Sequence, residues 1–600
     1  MLYILLIDQE IKPSLKDFFK KQNFEQIVTN NQKITLSLEK IGVTSTPIDK
    51  IFPDSASKTY DIHSKVSFAL ENYSKEFTSV TFQKIKIFTM IEQDILVQLL
   101  LFYKLENIFN ENTNTIFVSD TNSTVFQSIK TSFKNQKLFL KLCKFNNNQI
   151  EQIPQIKNIN FLKIKPFSFI PFKKYLLKKY LNSIKNKIKK FYSTTNFSVM
   201  FFFTSSSEYV LEPYLSIFKN IMAPHIPGIF VFDSFTLKFF ETNQIPTVNL
   251  QHEVSIISRM IKNFTESAIF TKKIQEIDSS KDILFLKNND NFIYTSIFHK
   301  LAVYYIAEYL LSEFKPNSIV PVNDGSGIGN SVVLAGKNFD IKSFSIRTLR
   351  LTNDPLVKHT FKADKICLYG QHGYDILLQQ GYDSNQLIIT GNPKYDYLNS
   401  INFDNDKQKL EKIYKFNGKK LIVIGQGRWD DSDEKWMPDF IKFCNKHNFE
   451  LIIKVHPIYK TTFQDIHQQK IEFFKTKCQN MKYLITIDLD RKTLISAADL
   501  IISDHSNFGV EAVLMNKPII SINLEHEELE NIKNVYDYNV GYFVEHYEDL
   551  EKYTLEIFNT DSTPKKFILS RKTFSNEWNF QNDGKSVERI LNLILEKNPD

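Results

Sequence analysis

The sequence is short of the residues on which several classes of protein depend. It holds only 16 glycines and 4 cysteines among 600 residues. The cysteines lie far apart, at Cys143, Cys367, Cys444 and Cys478, and no two of them form a CxxC pair. This spacing excludes a zinc ribbon and a disulfide framework, and it is typical of a protein from a reducing compartment.

Long apolar runs are also missing. The first residues, MLYILLIDQEI, contain too few apolar residues for a signal peptide and predict a β-strand. No window approaches the roughly 18 uninterrupted apolar residues that a membrane-spanning helix requires. We therefore expect a protein of the cytoplasm.

Acidic residues are absent from one long segment. Residues 163–190 hold ten lysines and no Asp or Glu, whereas the net charge of the whole chain is +8. The rest of the chain is therefore slightly acidic, so we expect no nucleic acid partner. Because the lysines alternate with Phe, Tyr, Leu and Ile, the segment predicts a basic amphipathic helix at an anionic membrane surface, on the inner face of the membrane. A solvated linker helix is the alternative.

Short Val- and Ile-rich segments alternate with helical patterns, which predicts an α/β fold of parallel sheets with helices on both faces. In the second half we expect strands at 364–370, 386–391, 420–427, 449–457, 483–487, 499–504 and 518–523. We predict two doubly wound, Rossmann-like domains that face a cleft and are closed by a C-terminal helix. The expected divisions are an N-terminal region 1–360 (with a separate subdomain 1–150 and the basic insert 163–190), a C-terminal domain 361–575 and a crossover helix 576–600.

Polar clusters follow four of these strands. They are Gly425–Arg428, Lys454–Pro457, Asp504–Asn507 and Asn523–His526. Because ligands of open parallel sheets bind outside the carboxyl ends of the strands, four clusters with cationic side chains predict an anion site. The candidate binding residues are Gly427, Arg428, Lys454, His456, Asp504, His505, Ser506, Asn507 and Glu511.

The cluster in LIISDHSNFGVEA is the most informative of the four. Ser506 and Asn507 stand where a strand ends and a helix begins, a place suited to bind a diphosphate. Glu511 lies about one turn deeper, where its carboxylate can accept hydrogen bonds from a vicinal diol such as that of ribose. The alternative is that Asp504 and Ser506 only cap the helix.

Two residues of the first half are candidates for a general base. Asp324 stands at a strand end in VNDGSGIGNS, and His252 follows the segment IPTVNLQ. A capping Asp and a structural His are the alternatives. The GSGIG segment only partly matches a dinucleotide-binding loop, so we expect it to line the interdomain cleft rather than a nicotinamide site.

The second half also resembles a known family. GNPKYD (391–396), KVHP (454–457), ADLIISDHSNFGVEA (498–512), NKPII (516–520) and NDGKSVERI (582–590) occur in the order seen in the C-terminal domain of GT-B-fold transferases. The resemblance covers about 364–595. It is to CDP-glycerol glycerophosphotransferases and related surface-polysaccharide transferases, and non-hydrolysing UDP-N-acetylglucosamine 2-epimerases share the domain.

This resemblance implies an enzyme that uses a nucleotide-activated donor, UDP-, CDP- or CMP-linked, and a surface glycan or lipid-linked acceptor. His456 and the Ser506–Asn507 turn would contact the donor phosphates, and Glu511 the ribose. Arg428 and Lys454 would supply positive charge to the departing nucleotide. The family implies no metal and no cofactor.

Two further possibilities stay open. The epimerases carry GTRPE-like and THRRE-like loops, where this chain reads IDQEIKP and GQGRW without the histidine, so an epimerase is the second candidate. The QHG-type turn of the surface transferases is replaced by FSIRTLRLTND, while QHE occurs earlier, at 251–253. A GT-B scaffold that binds a nucleotide sugar without catalysis is the third candidate.

Overall fold

The structure is a computed structural model. Beyond residue 171 it describes residues 172–192, 196–204, 208–264, 290–400, 403–414, 420–426, 433–460, 464–504, 506–524, 535–560 and 565–596. Before residue 172 it describes 2–6, 26–29, 38, 43, 45–47, 56–77, 81–82, 85–86, 92, 95–96, 99–100, 103–104, 115–120, 141–146 and 149–152. Within these residues, no helix combines the length and apolarity needed to cross a bilayer.

The N-terminal part contains a sheet of its own, whose last strand ends at Gln152. Its strands are β1 (Leu2–Leu6), β2 (Gln26–Thr29), β3 (Thr46–Pro47), β6 (Thr115–Asp120), β7 (Lys141–Asn146) and β8 (Gln149–Gln152), in the order β3-β2-β1-β6-β7-β8. The pairs are parallel except β7–β8. A short hairpin, β4 (Thr81–Phe82) with β5 (Ile85–Lys86), and the helix Ala56–Phe77 accompany this sheet.

The middle sheet has seven parallel strands. They are β9 (Val199–Phe203), β10 (Pro227–Val231), β11 (Val248–Asn249), β12 (Ser318–Pro321), β13 (Lys342–Ile346), β14 (Lys365–Leu368) and β15 (Leu387–Ile389), in the order β11-β10-β9-β12-β13-β14-β15. The accompanying helices are Phe172–Phe191, Glu208–Asn220, Ser234–Thr242, Gln251–Phe264, Asp290–Phe314, Gly327–Lys337 and Gln371–Gln379, with 3₁₀ turns at Pro355–His359 and Ser384–Gln386.

The C-terminal sheet has six parallel strands. They are β16 (Leu421–Gln426), β17 (Glu450–Val455), β18 (Leu484–Thr486), β19 (Leu500–Ser503), β20 (Ile519–Ile522) and β21 (Tyr542–Val544), in the order β18-β17-β16-β19-β20-β21. Its helices are Phe403–Tyr414, Asp433–Lys446, Gln464–Lys477, Arg491–Ala497, Asn507–Leu514, Tyr547–Asn559, Lys565–Trp578 and Ser586–Leu595. The 3₁₀ turns of this part are Pro393–Ser400, Pro457–Lys460, Val535–Tyr538 and Phe580–Asn582.

Both large sheets are doubly wound, as the sequence predicts. Along β9, Val199 and Phe201 face one core with the C-terminal helix, whereas Met200 and Phe202 face another core with the helix Asp290–Phe314. A strand covered on both faces needs a continuous apolar run rather than an alternating one. The run SVMFFF is such a sequence, and all five residues of β9 are buried.

The change from one sheet to the other comes later in the chain than the predicted boundary at 360/361. β14 and β15, which we expected in the C-terminal domain, complete the middle sheet, so the change lies between Ile389 and Leu421. Strands and helices alternate in the same way on both sides of this point, so periodicity alone cannot mark it. The seven strands expected in the second half are all present.

The GNPKYD segment is where the two large sheets and the C-terminus meet. Gly391 has φ +86°, and a Cβ atom there would lie 2.3 Å from Ser586 Oγ, so only glycine fits without strain. The Asn392 backbone N–H donates to Asn579 Oδ1 (2.8 Å). Asp396 accepts from the backbone N–H groups of Ser586 (3.1 Å) and Val587 (2.7 Å). The segment thus caps the final helix and directs it back onto the middle sheet.

Hydrogen bonds between polar side chains join the N-terminal part to the middle sheet. The imidazole of His359 bonds Glu92 Oε1 through Nδ1 (2.7 Å) and Ser67 Oγ through Nε2 (3.1 Å). His63 Nδ1 lies 2.6 Å from Asp354 Oδ2. Because Ser67, Glu92 and His359 are buried, this Ser–His–Glu arrangement closes an interface and offers no access to a substrate.

Candidate functional site

The strand order places the candidate site at one point of the C-terminal sheet. The chain moves in one direction from β16 to β17 and β18, and in the other from β19 to β20 and β21. The crevice therefore opens between the carboxyl ends of β16 and β19, where sheets of this order bind their ligands. Gly427, Arg428 and His505 were also predicted at this edge, but they lie outside the described residues.

The turn after β19 starts a helix as the sequence predicts. Ser506 is the N-cap of the helix Asn507–Leu514, and its side chain accepts from the Phe508 N–H at 3.3 Å. Asp504 Oδ1 accepts from the Ser506 N–H at 2.9 Å. The first turn of this helix directs its backbone N–H groups and its positive dipole end into the crevice, which suits an anionic ligand.

The close contact between the Gly425 backbone and the Phe508 ring determines where the helix Asn507–Leu514 begins. A Cβ atom at Gly425, near the end of β16, would lie 2.3 Å from the Phe508 ring. Glycine at this position therefore lets Phe508 pack against the strand, and the helix starts beside β16. The glycine of the predicted Gly425–Arg428 cluster thus shapes the crevice through its lack of a side chain.

The two predicted residues at the carboxyl end of β17 differ in their surroundings, since Lys454 lies within the strand and His456 follows it. Lys454 is buried, donates to the Ile487 carbonyl at 2.7 Å, and has a pKa lowered from its ordinary value by desolvation. His456 is exposed. Partial desolvation lowers the pKa of His456, and the nearby Asp504 carboxylate opposes this change. His456 and Asp504 therefore lie close enough for their charges to interact, although their strands β17 and β19 lie on opposite sides of β16.

Glu511 is held more firmly than the sequence suggests. Its side chain is only 1% exposed, and its Oε1 pairs with Lys394 while its Oε2 pairs with Arg491 Nε at 2.9 Å. Lys394 comes from the GNPKYD segment and is fully buried. Burial lowers the pKa of Lys394 to about 8, although the charge of Glu511 acts to raise it. A ribose would reach this carboxylate only after neighbouring side chains move.

Sequence reasoning missed a contact that crosses between the two large sheets. Arg491 NH2 also binds Glu212 Oε2 at 2.7 Å, and Lys492 Nζ binds Glu212 Oε1 at 2.6 Å. Glu212 lies on the helix that follows β9 of the middle sheet. No local pattern indicates this pairing, because the residues are far apart in the chain. Lys394 did carry a signal, since it belongs to a motif that the resemblance had singled out.

Asp324 has the contacts of a structural carboxylate. It is 1% exposed and accepts from Ser345 Oγ (2.7 Å) and from the backbone N–H groups of Lys362 (2.6 Å) and Ala363 (2.8 Å). Burial raises its pKa, and these hydrogen bonds oppose the rise. The carboxylate therefore ties the loop after β12 to the segments around β13 and β14.

The other first-half candidates lie in two separate places. His252 is exposed in the first turn of the helix Gln251–Phe264, at the edge of the middle sheet. In the GSGIG loop, Ser326 caps the helix Gly327–Lys337, and the backbone of Gly327 packs against the Lys300 side chain. The loop is thus filled by protein atoms at a position where a dinucleotide would need open space.

The fold and this edge define a class of protein. Two doubly wound parallel sheets, each with its strand order reversing about its first strand, are joined by a buried segment and a returning C-terminal helix. This is the arrangement of the GT-B fold that the sequence predicts.

The C-terminal part of the chain is similar to a known protein family. Residues 378–596 match the family described as CDP-Glycerol:Poly(glycerophosphate) glycerophosphotransferase. The resemblance expected from the sequence motifs is confirmed over this part of the chain. The matched range includes Lys394, His456, Arg491, the Ser506 turn and Glu511.

One curated relative is similar over a limited range. The teichoic acid glycerol-phosphate primase of Bacillus subtilis is 24% identical over 220 residues, which cover 36% of this chain and 52% of that protein. The chain thus spans about half the length of the curated relative that it matches.

Solved structures with a similar arrangement cover more of the chain. They include a putative UDP-N-acetylglucosamine 2-epimerase from Listeria monocytogenes, with 14% identity, TM-score 0.43, and coverage of 66% of this chain and 95% of that one. A glycosyltransferase from Rickettsia africae has 15% identity, TM-score 0.41, and coverage of 68% and 100%. The UDP-GlcNAc 2-epimerase of Neisseria meningitidis bound to UDP-GlcNAc has 15% identity, TM-score 0.44, and coverage of 66% and 99%. Similarity at this level carries no inference about ligand or activity.

The buried ion pair yields a prediction about stability. Changing Lys394 to Met leaves Glu511 buried beside one cation instead of two, so we expect a loss of about 3 kcal/mol in the free energy of unfolding. The double variant Lys394→Met/Glu511→Gln should lose less than the single one, because no buried charge remains uncompensated. Urea unfolding followed by tryptophan fluorescence measures this, since the three tryptophans all lie beyond residue 425.

Lys407→Met is the matched control. Lys407 pairs with Asp499 at 3.0 Å, but the two side chains are 32% and 24% exposed, so its loss should cost less than about 1 kcal/mol. Equal losses for Lys394→Met and Lys407→Met would contradict the strong dependence of Glu511 on Lys394.

Proposed function

We propose that this protein is a transferase that moves a glycerophosphoryl or glycosyl group from a nucleotide-activated donor to a surface glycan or lipid-linked acceptor. The observation that carries the proposal is the position of the family's domain. Its Ser506 helix start, His456 and Lys454 lie together at the carboxyl edge where the strand order of the C-terminal sheet reverses. The description of the matching family favours a glycerophosphoryl group and a CDP-linked donor over the other possibilities.

The proposed reaction assigns roles to groups at this edge. An acceptor hydroxyl oxygen attacks the phosphorus that bears the glycerol, the bond from that phosphorus to the bridging oxygen breaks, and CMP leaves with the bond's electron pair. The hydroxyl proton passes to a base. With a glycosyl donor, the same oxygen attacks the anomeric carbon and a nucleoside diphosphate leaves.

Catalysis then rests on stabilising the negative charge of the leaving phosphate. The helix start at Asn507 offers backbone N–H groups, and His456 and Lys454 stand beside it. Donors aimed at the developing charge in a partly desolvated crevice act more strongly than they would in water. In this proposal the chain's own groups supply the stabilisation, without a cofactor or a metal. In the part of the chain that the structure describes, no three His, Cys, Asp or Glu side chains are arranged to hold a metal ion.

Direct assay distinguishes this function from the two other candidates. The purified protein is incubated with radiolabelled CDP-glycerol, UDP-sugars and CMP-sugars, with and without a lipid-linked acceptor. Transfer of label to the acceptor, or slow hydrolysis of the donor, is the expected result. A changed sugar without transfer would indicate an epimerase, and binding without turnover would indicate a non-catalytic scaffold.

His456 gives the sharpest single-residue prediction for the donor site. His456→Ala should weaken binding of CDP by about 10- to 100-fold, since a charge-assisted hydrogen bond contributes about 1.5–3 kcal/mol. Desolvation lowers the pKa of His456, so its imidazole gains charge only as the pH falls below the ordinary histidine range. CDP-glycerol, whose diphosphate has no group that titrates there, should therefore bind the parent more tightly as the pH falls from 7 to 5, and the variant should lose that dependence.

His447→Ala is the control for this experiment, measured by isothermal titration calorimetry alongside His456→Ala. His447 is exposed before β17 begins, at the opposite end of the strand from His456. Its removal should leave CDP affinity unchanged. If His456→Ala binds CDP as the parent does, the donor phosphates do not lie at this edge.

The basic segment offers a second surface, for the acceptor side. Its helix Phe172–Phe191 buries Leu181, Ile184 and Ile188 in the core of the middle domain, so this apolar face is turned away from any lipid. Phe167 and Phe169, two aromatic residues of the same segment, lie outside the described residues. We propose that the exposed lysines of the helix, rather than its apolar face, meet an anionic membrane at its inner face.

Vesicle sedimentation tests this electrostatic contact. Changing Lys178, Lys179, Lys189 and Lys190 to Gln should abolish binding to anionic vesicles at low salt, because each lysine near the surface contributes at most about 1 kcal/mol. All four are exposed. Binding by the parent should fall steeply with salt.

The matched control changes Lys475, Lys477, Lys565 and Lys572 to Gln, which removes the same charge from exposed positions of the C-terminal part. That variant should sediment with the vesicles as the parent does. Equal sedimentation of both variants, or no binding by the parent, would leave the segment as a solvated helix.

A further inference from the structure

Two adjacent cations of the C-terminal part share one carboxylate of the middle domain. Arg491 and Lys492 open the helix Arg491–Ala497, and both bind Glu212, which lies on the helix Glu208–Asn220. The two nitrogen–oxygen distances are 2.7 and 2.6 Å, one to each carboxylate oxygen. These side chains are between 24% and 30% exposed, so the group is open to exchange with solvent species.

The cations belong to the same edge as the proposed donor site. Arg491 Nε binds Glu511 at 2.9 Å, and Glu511 lies in the first turns of the helix that Ser506 caps. Arg491 is also close enough to Lys454 that its charge contributes to the lowered pKa of that lysine, after desolvation. Arg491 therefore stands between the helix start, Lys454 and the facing domain.

The balance of charge at this contact favours an anion with more charge than a single carboxylate. Partial burial would raise the pKa of Glu212, but the charges of Arg491 and Lys492 outweigh it and lower that pKa to about 2. A diphosphate presents several oxygens and more than one negative charge, and the planar guanidinium group binds phosphate in a bidentate manner. Phosphates can thus satisfy both cations at once, where Glu212 offers one oxygen to each.

We propose that Arg491 and Lys492 bind the phosphates of the nucleotide donor, and that Glu212 competes with those phosphates for the same two cations. This inference rests on the proposed function, because it takes the ligand to be a nucleotide. Donor binding and the contact between the two large domains are then coupled. When phosphates bind Arg491 and Lys492, Glu212 loses its partners and the helix Glu208–Asn220 is released. The competition lowers the affinity for donor, since part of the binding free energy is used to break the contact.

The test compares binding of CDP, UDP and cytidine by the parent and three variants. Glu212→Gln removes the competing charge, so it should bind CDP and UDP about three- to tenfold more tightly than the parent. Cytidine has no phosphate, and its affinity should not change. Arg491→Gln should bind CDP at least about tenfold more weakly.

Glu241→Gln is the matched control. Glu241 is an exposed glutamate in the last turn of the helix Ser234–Thr242, which runs back from the carboxyl ends of the strands, whereas Glu212 lies near the start of its own helix. Its loss removes the same charge. Its CDP affinity should equal that of the parent. Hydrogen exchange of the parent gives an independent readout: saturating CDP should speed exchange in residues 208–220 while slowing it in residues 507–514.

The outcomes separate this inference from the proposed function. If the parent binds none of the nucleotides, the proposed function itself fails. If the parent binds CDP and Glu212→Gln binds it equally or more weakly, Glu212 does not compete with phosphate and the inference is overturned. A lower melting temperature of Glu212→Gln without tighter CDP binding likewise makes the contact a purely structural one.

Discussion

The arrangement of this protein depends on one buried carboxylate and the cations that it requires. Glu511 is almost without exposure, and an ionised carboxylate in such a place is tolerated only when it is paired. Its partners come from two different segments, Lys394 of the GNPKYD crossing and Arg491 of the C-terminal domain. Through Arg491 the same set reaches Glu212 of the middle domain. The pairing requirement of Glu511 therefore fixes the linker, the candidate site and the facing domain relative to one another.

The two large domains on either side of this contact have the same sheet topology. Each sheet reverses its strand order about its first strand, so each has one edge where loops from neighbouring strands diverge. In the C-terminal sheet that edge carries the Ser506 helix start, which offers positive partial charge. In the middle sheet the corresponding edge carries Asp324, whose carboxylate accepts hydrogen bonds from the backbone around Lys362. The chemistry of an anion site thus lies on the C-terminal side.

Structural features that depend on residues close together in the chain could be predicted from the sequence. The Val- and Ile-rich strands and the N-cap at Ser506 follow from short-range patterns, and they are where we expected them. What could not be predicted depends on distant partners. The sequence placed Glu511 on the correct helix but did not show that it pairs with Lys394 and Arg491. It predicted a basic helix within 163–190, where the structure has the helix Phe172–Phe191, but not the core against which Ile184 packs. The domain boundary was set too early because the alternation of strands and helices continues unchanged across it.

The central claim is that a donor's phosphates bind at the carboxyl edge between β16 and β19. A crystal structure of the protein with CDP tests it most directly. The account predicts the diphosphate within hydrogen-bond distance of the Asn507 backbone N–H and the His456 imidazole, with Arg491 turned from Glu212 toward a phosphate oxygen. A diphosphate bound instead at the edge of the middle sheet, between the ends of β9 and β12, would contradict it.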